Sequence, residues 1–257
     1  MKPKVIALYT DGINRDQETS FAFEKAGAEC DVIHLNQLAA NPQMLDDYQI
    51  MAIPGGFSHG DDIVSGKIMA NKLLYKLTEH IKKFFDRDTL SLGICNGFQV
   101  LIRIGILPYR NFGKIEAALM DNQIGHLESR WIKMRVQKSD CVFTRGMEGK
   151  IIAIPIANGE GRFVAEDETL DNLENADQVV LKYVDDKGNE TMDFPANASA
   201  SMRSIAGITD PTGKIFGLMP HPECYTKKEQ HPNWHSRDKE EMPHGLQMFI
   251  NAVEYFK

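Results

Sequence analysis

The sequence predicts an α/β fold: an open parallel sheet with helices on both faces and extra antiparallel strands in the second half. Three observations carry this reading. Short apolar runs alternate with helical stretches through the first hundred or so residues, as βαβ units require. An amphipathic stretch from about Gly66 to Phe85 is long enough to cover one face of such a sheet. Past about Ile115, strand-like runs follow one another with few helices between them.

Taken in order, Val5–Tyr9 is an apolar run suited to a buried parallel strand, and Asp11-Gly12-Ile13-Asn14 stops it. Phe21, Ala22, Lys25 and Ala26 repeat at helical spacing up to Gly27, a natural residue just past a helix end. Strands recur at Asp31–Leu35, Gln49–Ile53 and Thr89–Ile94, then at Trp131–Val136, Ile151–Ile156, Val179–Val184 and Ile205–Thr209. Asp210-Pro211-Thr212-Gly213 has turn chemistry, so Ile215–Met219 returns as a hairpin partner. A closing helix over His244–Phe256 carries Leu246, Phe249, Ile250 and Val253 on one face. No repeat or low-complexity linker interrupts the 257 residues, and the expectation is one domain over 1–257.

Composition excludes several classes. The apolar fraction of 42% supports a buried core, and no run approaches the length of a membrane span. Val5–Leu8 is too short for a signal peptide, so the expected location is cytoplasmic. Net charge is −7 with only isolated basic pairs such as Lys82-Lys83, which argues against nucleic acid. Cys30, Cys95, Cys141 and Cys224 are widely spaced, as reduced thiols would be.

The segment that carries chemistry is Leu90-Ser91-Leu92-Gly93-Ile94-Cys95-Asn96-Gly97-Phe98-Gln99-Val100-Leu101. An apolar strand runs into Gly-x-Cys-x-Gly and directly into a helix, the layout of a nucleophile elbow. The turn is so sharp that side chains two residues either side of the thiol would collide, hence Gly93 and Gly97. At the start of a helix the thiolate is favoured, and the Asn96 N–H is placed to donate to an oxyanion. Such a thiolate needs a base and a group to orient it. Pro220-His221-Pro222-Glu223, after a strand, supplies both, with the two side chains on one face if the segment is extended. Ile53-Pro54-Gly55-Gly56-Phe57-Ser58-His59-Gly60-Asp61-Asp62 follows another strand and so lies at the carboxyl edge of the sheet. Gly56 and Phe57 are candidates for the rest of an oxyanion hole, whereas neither phosphate-loop pattern is present.

Gly-Ile-Cys-Asn-Gly-Phe-Gln followed downstream by Pro-His-Pro-Glu resembles the class I (triad) glutamine amidotransferases. Pro-Gly-Gly-Phe-Ser-x-Gly-Asp-Asp and Ile154–Phe163 extend the likeness over nearly the whole chain, and they resemble the branch serving purine biosynthesis. The resemblance implies Cys95 as nucleophile, His221 as acid and base, Glu223 as its orienter and Gln99 as a glutamine-binding residue. Gly56 or Phe57, together with Asn96, would donate to the oxyanion. It further implies L-glutamine as substrate, a large ATP- and magnesium-using synthetase subunit and a small accessory subunit as partners, and no cofactor or metal in this chain. The chain departs from the pattern at His59, where Tyr is usual, and at Asn158, where His is usual. It departs again at Pro195-Ala196-Asn197-Ala198-Ser199.

Rival readings are a zinc site built from His221, Cys224, His231 and His235, a cysteine peptidase or chaperone-like hydrolase on the same elbow, and a binding module without activity. The peptidase needs neither Gln99 nor the Phe-Ser-x-Gly-Asp-Asp loop, and the complete triad speaks against the module.

Overall fold

The computed structural model describes residues 2–61, 66–238 and 241–257, so Asp62 of the loop singled out above lies outside the described residues. The chain starts with β1 (Lys4–Tyr9), α1 (Asp16–Ala26) and β2 (Glu29–His34). Gly27 ends α1 at φ 103°, the left-handed geometry that glycine adopts without steric cost. A short α2 (Leu35–Ala40) leads to β3 (Ile50–Ile53). Next come α3 (Lys67–Lys76), α4 (Thr78–Asp86), β4 (Leu90–Ile94) and α5 (Asn96–Arg103). Both β3 and β4 are buried at every residue, as their unbroken apolar runs require.

The second half contains β5 (Ala117–Met120), β6 (Glu128–Val136), β7 (Ile151–Asn158), β8 (Arg162–Ala165), α6 (Asp167–Asn175) and β9 (Val179–Val184). It closes with β10 (Ile205–Thr209), β11 (Ile215–Leu218) and α7 (His244–Glu254). The β10–β11 hairpin turns where expected: Asp210 Oδ1 accepts from the N–H groups of Lys214 (3.0 Å) and Ile215 (2.8 Å).

Among the described residues, nine strands form one sheet in the order β2-β1-β3-β4-β11-β10-β9-β6-β7, while β5 and β8 pair only with each other. From β2 to β11 neighbours are parallel, and from β11 to β7 they are antiparallel. The crossovers from β1 to β2 and from β3 to β4 step in opposite directions along the sheet, so right-handed connections put their helices on opposite faces. On one face Phe23 of α1 meets Phe249 of α7 edge to face at 4.8 Å. The antiparallel half curls until β7, at the far edge, returns to the end of β11. There the His221 N–H donates to Pro155 O (2.8 Å), and the Ala153 N–H donates to His244 Nδ1 (3.0 Å). These bonds occupy polar groups of an edge strand that would otherwise invite pairing.

Four elements differ from the sequence expectation. The helix expected over Gly66–Phe85 is two helices, broken at Leu77 (φ −125°, ψ 7°). The Thr78 hydroxyl donates to the Leu74 carbonyl there, diverting an acceptor from the helical ladder. Leu35 opens α2 rather than ending β2, and α6 and the small β5–β8 sheet were not foreseen.

Candidate active site

Cys95 caps α5 with φ 51° and ψ −105°, a backbone state that costs a non-glycine residue on the order of 1–3 kcal/mol. Its neighbours impose it. A Cβ on Gly97 would lie 1.8 Å from Ile53 O, and one on Gly93 would lie 2.7 Å from Gly97 O, so only glycines let strand, turn and helix approach this closely. The Cys95 N–H still belongs to the sheet, donating to Leu218 O at 2.8 Å. The thiol is buried and points toward Ala157 O, 3.9 Å away on β7.

His221 follows β11, which is hydrogen-bonded to β4, so the base arrives beside the nucleophile by strand pairing. Gly55 fits between them: a Cβ there would lie 2.7 Å from His221 Cε1 and 3.5 Å from Cys95 Cβ. His221 Nδ1 is 2.6 Å from Glu223 Oε1, and both side chains are buried. That contact differs in origin from the extended segment expected, because Pro222–Cys224 is a 3-10 turn that brings the carboxylate back under the ring. Burial disfavours the imidazolium, but the Glu223 carboxylate and the Cys95 sulfur outweigh it, and the pKa of His221 is raised to about 10. By contrast, burial pushes the Cys30 thiol up to about 11 and those of Cys141 and Cys224 up to about 12, which keeps them protonated.

Cys95 opens into a cavity of about 230 Å³ whose walls include Gly56, Phe57, Gln99, Leu127 and the segment Ala157–Glu160. A larger cavity of about 630 Å³ lies between Tyr109, Lys114–Ala118 and Val164–Asn172, but it holds no triad residue. Gln99 lines the site as expected, with its amide engaged at both ends. Nε2 donates to Glu160 O (2.8 Å), and Oε1 accepts from Asn96 Nδ2 (3.0 Å).

The Gly56–Phe57 expectation needs a correction. The Phe57 N–H donates to Gly12 O at 2.9 Å, so in this state it does not face the cavity. Gly56, at φ 146°, sits against the Asp11–Asn14 turn, where a Cβ would lie 2.7 Å from Ile13 Cα. Among the departures, His59 Nε2 lies 3.1 Å from Thr10 Oγ1 and 3.4 Å from Lys72 Nζ. Asn197 is bonded to Ser201 both ways, Nδ2 to O and N to Oδ1 at 2.9 Å each, which holds the Pro195–Ser199 turn.

The rival zinc cluster is only partly assembled. His221, Glu223 and Cys224 bring ligand atoms within 4.8 Å of one another, but two of those atoms already face each other in the His–Glu contact. His231 instead packs against Trp131 at 4.7 Å, and His235 against Trp234 at 3.6 Å. Two contributors were not foreseen in the sequence: Leu127, in the cavity wall, and Asn122, which bonds the backbone of the Asn158–Gly161 loop.

Comparison with known proteins agrees with this geometry. Residues 2–256 match the family model of the CobB/CobQ-like glutamine amidotransferase domain. The "Phosphoribosylformylglycinamidine synthase subunit PurQ" of Dehalococcoides mccartyi is 42% identical over 255 residues, covering 99% of this chain and 98% of that protein. The protein of the same name from Methanococcus maripaludis (strain C5) is 42% identical over 269 residues, covering 100% and 99%. Among solved structures, a chain in "Structure of PurLQS from Thermotoga maritima" superposes with a TM-score of 0.76 at 31% identity, with 100% of each chain covered. An elbow cysteine beside a buried His–Glu pair, on a sequence matched from end to end, has one reading at the level of family: the chain belongs to the CobB/CobQ-like glutamine amidotransferases.

Proposed function

We propose that this chain is the glutaminase subunit of phosphoribosylformylglycinamidine synthase, releasing ammonia from glutamine for a synthetase subunit in purine (IMP) biosynthesis. The observation that carries the proposal is the strained elbow at Cys95 beside the 2.6 Å His221–Glu223 pair, in a chain 42% identical to proteins of that name. The cavity of about 230 Å³ suits a small metabolite better than a peptide.

In this reading the Cys95 thiolate adds to the side-chain amide carbon of glutamine. A C–S bond forms, and the carbonyl electrons move to oxygen, which accepts hydrogen bonds from the Asn96 N–H and from the Phe57 N–H once that group has turned from Gly12 O toward the cavity. Collapse breaks the C–N bond, and the His221 imidazolium gives its proton to the departing ammonia. The neutral ring then takes a proton from water, which cleaves the γ-glutamyl thioester to glutamate and frees the thiolate. Glu223 keeps the imidazole oriented and charged while it waits as the acid. ATP and magnesium belong to the synthetase subunit, and a small accessory subunit completes the assembly. The chain acts as one glutaminase domain in the cytoplasm; no helix among the described residues is long and apolar enough to cross a membrane.

The decisive experiment is Cys95→Ala in the reconstituted complex. The expected result is loss of glutamine-dependent amidation with ammonia-dependent amidation retained. Loss of both activities by a complex that still assembles would assign Cys95 a structural role and sink the proposal.

A further inference from the structure

We infer that Asn122, which lies outside every motif above, is a positioning residue that fixes the wall of the glutamine cavity through the Asn158–Gly161 loop. The inference rests on the glutaminase reading and extends it to a residue that touches neither Cys95 nor the space where glutamine would lie.

Asn122 is buried at 2% exposure in the irregular stretch between β5 and β6. Its backbone N–H donates to Gly159 O at 2.8 Å. Its side-chain Nδ2 donates to Asn158 O at 2.8 Å and to His126 O at 3.2 Å. Oδ1 accepts the Gly161 N–H at 3.1 Å. Both amide hydrogens and one oxygen lone pair are therefore spent on backbone, in a place where water does not compete. No other uncharged side chain of this size offers donors and an acceptor together at that reach. Asp would set a carboxylate against two carbonyl oxygens, and Ala would leave buried backbone groups unpaired.

The loop held in this way carries the contacts that define the cavity. Ala157 O faces Cys95 Sγ at 3.9 Å, and Glu160 O takes the Gln99 amide at 2.8 Å. A Cβ on Gly161 would lie 2.2 Å from Asn158 Oδ1, so the loop closes tightly on the side chain that begins it. The Asn122 Nδ2 bond to His126 O at 3.2 Å and the backbone bond from the Gly125 N–H to Asn122 O at 2.9 Å also hold the turn leading to Leu127, a cavity residue that lies beside Gly159. One amide thus holds both the loop and the adjoining turn that line the space glutamine would enter, while the triad is built by other elements. A loosened wall weakens the hold on substrate and leaves the Cys95–His221–Glu223 arrangement intact.

The test is a glutamine titration of the complex with its synthetase subunit, comparing wild type, Asn122→Ala and Asn122→Asp. The expected result is a rise in KM for glutamine of about tenfold or more with kcat changed by less than about threefold. Ammonia-driven amidation should stay at the wild-type rate. A purely structural role predicts the reverse, a lower kcat from a smaller folded fraction at unchanged KM, and that result would overturn the inference. If Asn122→Ala does not fold, the isosteric Asn122→Asp decides by the same criterion. A wild-type complex that forms no thioester on Cys95 would defeat the glutaminase reading; an active wild type with unmoved KM in both variants defeats only the role of Asn122.

Discussion

Replacing Glu223 by Gln keeps the size and the hydrogen-bonding shape of the partner of His221 and removes its charge. The His221 pKa is raised from its ordinary 6.5 to about 10, burial opposing and Glu223 with Cys95 prevailing, so the ring is the proton-loaded acid across the neutral range. Glu223→Gln should therefore lower kcat/KM and move the alkaline limb of its pH profile to lower pH, measurable in steady-state glutaminase assays from pH 6 to about 10. Stability follows the same sign. A group whose folded pKa is raised stabilises fully below its unfolded value, and that contribution is lost as pH climbs toward about 10. Melting temperatures of the variant should vary less over that window than those of the native chain. At this scale the sequence was legible wherever chemistry forces a residue type into a fixed order: glycines around a sharp turn, a thiol at a helix start, a carboxylate two residues from an imidazole. Asn122 was not legible. An Asn between an Asp and a Gln reads as surface loop, and its value depends on the Asn158–Gly161 backbone, which only the tertiary fold brings to it.

The loop after β3 and the turn after β1 act as a pair. Phe57 N–H to Gly12 O (2.9 Å), His59 N–H to Asp11 O (2.7 Å) and Asn14 N–H to Gly55 O (3.3 Å) join them into a short ladder. In that ladder one candidate oxyanion donor is turned away from the cavity, and the flexible Gly55-Gly56 link allows it to be turned back. The chain alone should then hydrolyse glutamine slowly, and the synthetase subunit with its substrates should raise the rate, each tenfold gain requiring about 1.4 kcal/mol of preferential contact with the competent state. Steady-state assays with and without the partner decide it; equal turnover would reject gating and leave the triad untouched. Legibility at this scale was uneven. β9 and β10 have the bounds expected, because β-branched apolar runs between polar turns leave little choice. The pair β5 and β8 was missed because each is short and pairs only with the other. The signals for α6 were present, Asp167 and Glu168 in a first turn and Leu170 with Leu173 at helical spacing, but they were overshadowed by the strands around them.

β11 lies at the junction of the two halves of the sheet: β4 flanks it on one side, parallel, and β10 on the other, antiparallel. α5 rides so close above it that a Cβ on Gly217 would lie 2.1 Å from Phe98 Cδ2 and 2.8 Å from Leu107 Cδ1. Gly217→Ala should destabilise the chain by about 1–3 kcal/mol through overpacking and lower glutamine turnover with it, read by thermal melts alongside activity. The parallel half was foreseeable from alternating strands and helices. The antiparallel strands of the second half were expected too, but not their order in the sheet or the return of β7 to the end of β11, since a period of two shows that a strand exists and not which neighbour it takes. The position of β11 also orders events in time. During synthesis Cys95 and its elbow emerge before the strand that carries His221 into place. The growing polypeptide accordingly holds the nucleophile before its base exists, so the amidase chemistry cannot begin on a partly made chain. The catalytic pair is completed only by the insertion of a four-residue strand made well after the nucleophile it serves.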